Sequence, residues 1–166
     1  MSSDRLRHVE KNLTCLRQQL EGKENTLTTI APEERKRIEQ QIDDLKKLMR
    51  PVEEEYWQIL ANQPEETAIS VADPAPEVVV AEIVDRVGQL QASPQYSHND
   101  LVLQLLQDID AKVSEDKSAA AKLKGVVSLL PPFLNLSYDV ELDTENFLQR
   151  HFPTFRRWSN ALAKKS

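Results

Sequence analysis

The chain has 166 residues, 40% hydrophobic and 29% charged, with a formal net charge of −6, which suits a soluble globular protein with one good core or two small ones. No apolar run approaches the roughly 20 residues that a membrane span needs. The polar start MSSDRLRHVE does not read as a secretory signal, and one cysteine, Cys15, excludes an internal disulfide, so a cytoplasmic location is expected.

Charge is unevenly spread. Residues 1–61 carry 11 Lys/Arg against 12 Asp/Glu, residues 62–117 carry 3 against 11, and residues 118–166 carry 7 against 4. An acidic middle beside a basic tail suits self-association or a charged protein partner better than general polyanion binding.

The first 60 residues hold two heptad ladders: Leu6, Val9, Leu13, Leu16, Leu20, then Ile38, Ile42, Leu45, Met49, Val52, Tyr56, Ile59. Such a narrow stripe is satisfied by another helix lying along it. Gly22, Asn25, a Thr-rich stretch and Pro32 separate the ladders, in the order of a helix end and a helix start. The pattern predicts an antiparallel, coiled-coil-like hairpin with helices over about 3–22 and 32–61, the second about 45 Å long. Pro51 either kinks that helix or begins a fresh one. The second helix overhangs the first, so the apolar positions from Met49 to Ile59 call for cover from a second chain, as a homodimer through the hairpin, or from the C-terminal module.

Residues 62–76, NQPEETAISVADPAP, hold three prolines and no ladder, which reads as a linker. A helical module over 77–166 follows. Its first helix, 77–91, sets Val80, Ile83, Val84, Val87 and Leu90 opposite Glu82, Asp85, Arg86 and Gln89, and Ser93 and Pro94 end it. The next, about 99–113, is capped by Asn99 or Asp100. A third, about 118–130, stops at Pro131 and Pro132. From 134 to 142, Leu134, Leu136, Tyr138, Val140 and Leu142 alternate with polar residues, which predicts an extended segment that plugs a groove, pairs with a second chain or accepts a foreign strand. Asp143 or Thr144 then caps a helix carrying Phe147, Leu148, Phe152, Phe155, Trp158 and Leu162, broken or kinked at Pro153.

Little in the pattern is reaction chemistry. Cys15 and His8 share a helix face, but a nucleophilic pair needs a third orienting group and a pocket. His8, His98 and His151 lie far apart with no second cysteine, so no metal-ligand spacing exists. The runs Glu53–Glu55 and Glu65–Glu66 read as a solvated helix face and a solvated linker. With only three glycines there is no phosphate-cradling loop. No catalytic residue, cofactor or metal site is expected. In the tail, Arg150, Arg156, Arg157, Lys164 and Lys165 interleave with Phe152, Phe155 and Trp158. That mixture can bind single-stranded nucleic acid, but its three- and four-residue spacing favours an aromatic core with a basic outer face.

The string LPPFLNLSYDVELDTENFLQRHFP, within residues 118–164, resembles a tail segment of bacterial multidomain signalling proteins, and RKRIEQQIDDLKKLMRPVEEEYWQIL resembles helical segments of similar architectures. There the segments accompany pentapeptide-repeat or NACHT-type NTPase domains, and such modules are grouped as effector-associated helical adaptors. The resemblance implies a stand-alone adaptor that joins other proteins by contact.

Together these readings predict an all-α chain: a hairpin over 1–61, a linker over 62–76 and a helical module over 77–166. The expected function is a non-enzymatic protein–protein interaction through amphipathic helices, with Leu45, Met49, Val52, Tyr56, Ile59, Phe155 and Trp158 as partner-binding residues. The alternative is a nucleic-acid-associated protein using the basic tail.

Overall fold

The computed structural model describes the backbone of residues 2–165 and the side chains of residues 4–165. Among the described residues the regular structure is entirely helical: α1 (Ser2–Leu27), α2 (Pro32–Ala61), α3 (Glu65–Ile69), α4 (Pro76–Ala92), a 3-10 turn (Pro94–Tyr96), α5 (Asp100–Val113), α6 (Ala119–Asp139), α7 (Thr144–His151) and α8 (Pro153–Lys165). The chain divides into two compact units between Tyr56 and Trp57, inside α2.

In the first unit Leu6, Val9 and Leu13 are buried, as are Ile38, Ile42, Leu45, Met49 and Tyr56. Arg5 meets Glu55, Arg17 meets Glu53 and Lys23 meets Gln41, so residue numbers rise along α1 as they fall along α2. The glutamates at 53–55, expected as a solvated face, are thus drawn in: Glu53 is buried against Arg17, and Arg5 holds the Glu55 carboxyl below its ordinary range by a direct hydrogen bond. α1 runs past Gly22 to Leu27, beyond the expected end at 22. A mid-helix glycine costs only about 1 kcal/mol, and Thr26 Oγ1 donates to the Gly22 carbonyl, 2.9 Å away. Pro51 does not break α2.

The second unit is built around α4, which packs on α5, α6 and α8, while α7 lies on α8. Helix starts are set by short polar caps. The side chains of Asn99, Ser118 and Asp143 accept from the backbone N–H groups of Val102, Ala121 and Asn146, each satisfying a donor with no partner inside its helix. α8 has a cap from elsewhere in the unit: Glu82 of α4 accepts from the Thr154 N–H at 2.9 Å and from its hydroxyl at 2.5 Å. Phe152 leaves the helical region at φ −133°, ψ 56°, separating α7 from α8 before Pro153.

Two expectations need correction. Residues 62–76 are no linker: α3 lies within them and packs on α6 and α8, and Gln63, Ala68, Val71, Pro74 and Pro76 are buried. Small apolar residues at 68 and 71 supply a docking face that composition alone hid. The segment 134–142 is not extended either. α6 passes through Pro131 and Pro132 as far as Asp139, so all three extended versions fall.

A proline inside a helix costs about 3 kcal/mol. Burying Phe133 and Leu134, at about 2 kcal/mol each, works on the same scale, and Leu130, Phe133, Leu134 and Ser137 all lie on the buried face. The polar member of that face is satisfied, since Ser137 Oγ donates to the Leu134 carbonyl at 2.9 Å and lies 2.9 Å from Thr144 Oγ1. α6 ends in a Schellman turn. Leu142 N–H donates to Ser137 O at 2.9 Å and Glu141 N–H to Tyr138 O at 3.4 Å, with Glu141 at φ 57°.

Candidate interaction surface

The expected partner-binding residues do not form a surface. In the first unit Leu45, Met49 and Tyr56 are buried and Val52 is half-buried, while Ile59, in the second unit, is also half-buried. In the second unit Phe155 and Trp158 are buried, and Phe155 stacks on Trp57 at 6.3 Å and on Trp158 at 6.1 Å. Trp158 Nε1 has no hydrogen-bond partner, so burial and stacking hold that ring.

The basic tail is partly spent inside the unit. Arg156 is buried, its Nε 3.0 and 2.8 Å from the two Glu145 carboxylate oxygens, its NH1 2.9 Å from Ser159 Oγ, and its guanidinium 5.0 Å above the Trp57 ring. Arg157 lies 3.7 Å from Asp73. Arg150, Lys164 and Lys165 remain exposed, but with Phe152, Phe155 and Trp158 buried the tail offers no aromatic face for base stacking.

Cys15 and His8 are exposed on α1. Among the described residues no group of three His, Cys, Asp or Glu could hold a metal ion, and no helix is long and apolar enough to cross a membrane. His151 Nε2 lies 2.8 Å from the Tyr96 hydroxyl, and its ring packs edge-on against Tyr96 and Phe147. Burial first, then the neighbouring Arg150 and Arg86, push this imidazole below its ordinary value. An internal cavity beside Ile83, Ile109, Leu130 and Phe152 is lined only by apolar side chains and presents no group to a polar ligand.

What the second unit does expose is apolar surface. On the outer side of α6, Leu136 is 50% and Val140 57% exposed, one helical turn apart, with exposed Pro132 one turn earlier. Leu129, half-buried, continues the stripe. Asp139, Glu141 and Asp143 edge it, and residues 125–149 hold no Lys, Arg or His. On α4, Val78 and Val84 are exposed as well. Sequence reasoning missed the α6 face because an alternating reading puts Leu134 and Leu136 on one side. A helical reading separates them, burying Leu134 and leaving Leu136 out. The signal that could have found it is the spacing of Leu129, Pro132, Leu136 and Val140.

No family model, curated protein or solved structure matches the chain.

Proposed function

We propose that this chain is a non-enzymatic protein–protein interaction module of the cytoplasm, an adaptor that docks a partner on the outer face of α6. The observation that carries this reading is the exposure of Leu136 and Val140 at helical spacing, beside a core that keeps other large apolar residues of the same helix covered. Exposed apolar side chains grouped on one helix face favour a contact that removes them from water. The resemblance supports the same reading, because the string LPPFLNLSYDVELDTENFLQRHFP contains this face together with α7. As an effector-associated adaptor, the protein would join a partner by contact alone and need no cofactor.

The test uses the full chain as immobilised bait beside its Leu136→Asp/Val140→Asp variant. Proteins retained by the wild type and lost on the variant, with the helical circular dichroism unchanged, support the reading. An identical retained set sinks it. The nucleic-acid alternative rests on exposed Arg150, Lys164 and Lys165; it requires binding to single-stranded DNA that weakens steeply with salt and is abolished by their replacement with glutamine.

A further inference from the structure

Three local costs coincide at the end of α6. Leu136 and Val140 face water. Glu141 occupies the left-handed region at φ 57°, where a residue with a Cβ is strained and glycine is not. Its carboxylate also adds negative charge at the C-terminal end of the helix, where the macrodipole is negative and favours cations. None of these choices helps the isolated fold. Local conflicts of this kind gather where a surface serves something beyond folding.

One kind of occupant relieves the apolar and electrostatic costs together. We infer that the outer face of α6, Pro132–Leu136–Val140 with its acidic edge, docks an amphipathic helical segment of a partner protein whose polar flank is rich in Lys and Arg, an inference that rests on the docking reading above. The partner's apolar stripe covers Leu136 and Val140, and its cations meet Glu141, Asp139 and the negative end of α6. Charge complementarity selects this occupant over a second copy. The chain's net charge is −6; the exposed cations of its tail, Arg150, Arg157, Lys164 and Lys165, have no exposed large apolar residue beside them on α7 or α8, and exposed Leu48 on α2 has exposed Asp44 as well as Lys47 beside it.

The experiment measures binding of the full chain to three synthetic helical peptides of about 18 residues, five turns. All carry the same leucine stripe, with lysine, glutamine or glutamate on the polar flank. The expected order is lysine over glutamine over glutamate, with the lysine peptide weakening as salt rises. Leu136→Ser/Val140→Ser should weaken the lysine peptide about tenfold or more, the scale of lost Leu and Val contacts. Asp139→Asn/Glu141→Gln should weaken it several-fold and leave the glutamine peptide unchanged. Glu141→Gly serves as the second variant, because it relieves the backbone and should raise the melting temperature while still weakening the lysine peptide.

If all three peptides bind equally and all depend on Leu136 and Val140, the basic partner is wrong while the docking face stands. If none depends on those residues, both readings fall. A wild-type dimer that Leu136→Ser/Val140→Ser converts to monomer would make a second copy the occupant and overturn the inference.

Discussion

The hydroxyls of Ser137 and Thr144 meet at 2.9 Å across the turn that joins α6 to α7, and both residues are buried. Removing one leaves the other to find a new partner. Ser137→Ala and Thr144→Val should each cost about 1–2 kcal/mol, whereas the double variant should cost less than their sum, because replacing both partners of a buried pair leaves no orphan. Urea midpoints of the four proteins check this, and strict additivity would show that the two hydroxyls are not coupled.

Glu82 ties α4 to the start of α8 by accepting from both the N–H and the hydroxyl of Thr154. Glu82→Ala should destabilise the chain by about 2 kcal/mol, a lost cap together with a lost charged acceptor. Thr154→Ala, which keeps the backbone bond, should cost clearly less. Equal losses in thermal melts would mean that the backbone bond contributes nothing.

Arg156 is the polar centre of the second unit, shared among Glu145, Ser159 and the Trp57 face. Arg156→Met keeps much of the buried stem but leaves the Glu145 carboxylate without this cation, so a loss of about 3 kcal/mol is expected. Arg156→Met/Glu145→Gln should recover part of it. Denaturant unfolding followed by tryptophan fluorescence reads both.

His151 should make stability depend on pH. In the unfolded chain its imidazole titrates near the ordinary 6.5, and in the fold burial, helped by Arg150 and Arg86, holds it lower. Below 6.5 the unfolded state therefore binds more protons, and stability falls as pH drops through that window, while above it this contribution is flat. His151→Gln should flatten that part of the melting temperature against pH between about 7 and 5. An unchanged slope would assign the effect to other groups.

Gly88 sits exposed inside α4 with nothing within 4 Å of where a Cβ would lie. Gly88→Ala should stabilise the chain by about 0.5–1 kcal/mol by removing backbone freedom from the unfolded state. A lower melting temperature would mean that this helix face is closer to other atoms than it stands here.

The starts of α2, α5 and α7 were legible in the sequence because their signals are side chains visible as letters: Pro32 followed by acids, Asn99 or Asp100, and Asp143 or Thr144, of which Asn99 and Asp143 make the cap bonds. The ladder ran through Pro51 in phase, and α2 does the same. The end of α6 was illegible for three local reasons. Pro131 and Pro132 signal a stop that burial of Phe133 and Leu134 overrides. Ser137 looks like an outward residue until Thr144 is placed beside it. The residue that turns the chain is Glu141 rather than glycine. The spacing of Phe155 and Trp158 already favoured core over their listing as anchors for a partner, and their burial, with Phe155 stacked between Trp57 and Trp158, agrees with core. The exposed face of α6 follows from the same misreading, since which leucines stay outside depends on the period assigned to them.

The unit boundary between Tyr56 and Trp57 has a consequence for inheritance by recombination. Proline-rich stretches such as 62–76 look like natural breakpoints for shuffling modules between genes. A crossover there would carry Arg156 and Phe155 away from the Trp57 ring that covers them, and would strip α3 from α6. The portable segment starts upstream of Trp57, inside a helix, so this module can be exchanged intact only together with the end of α2.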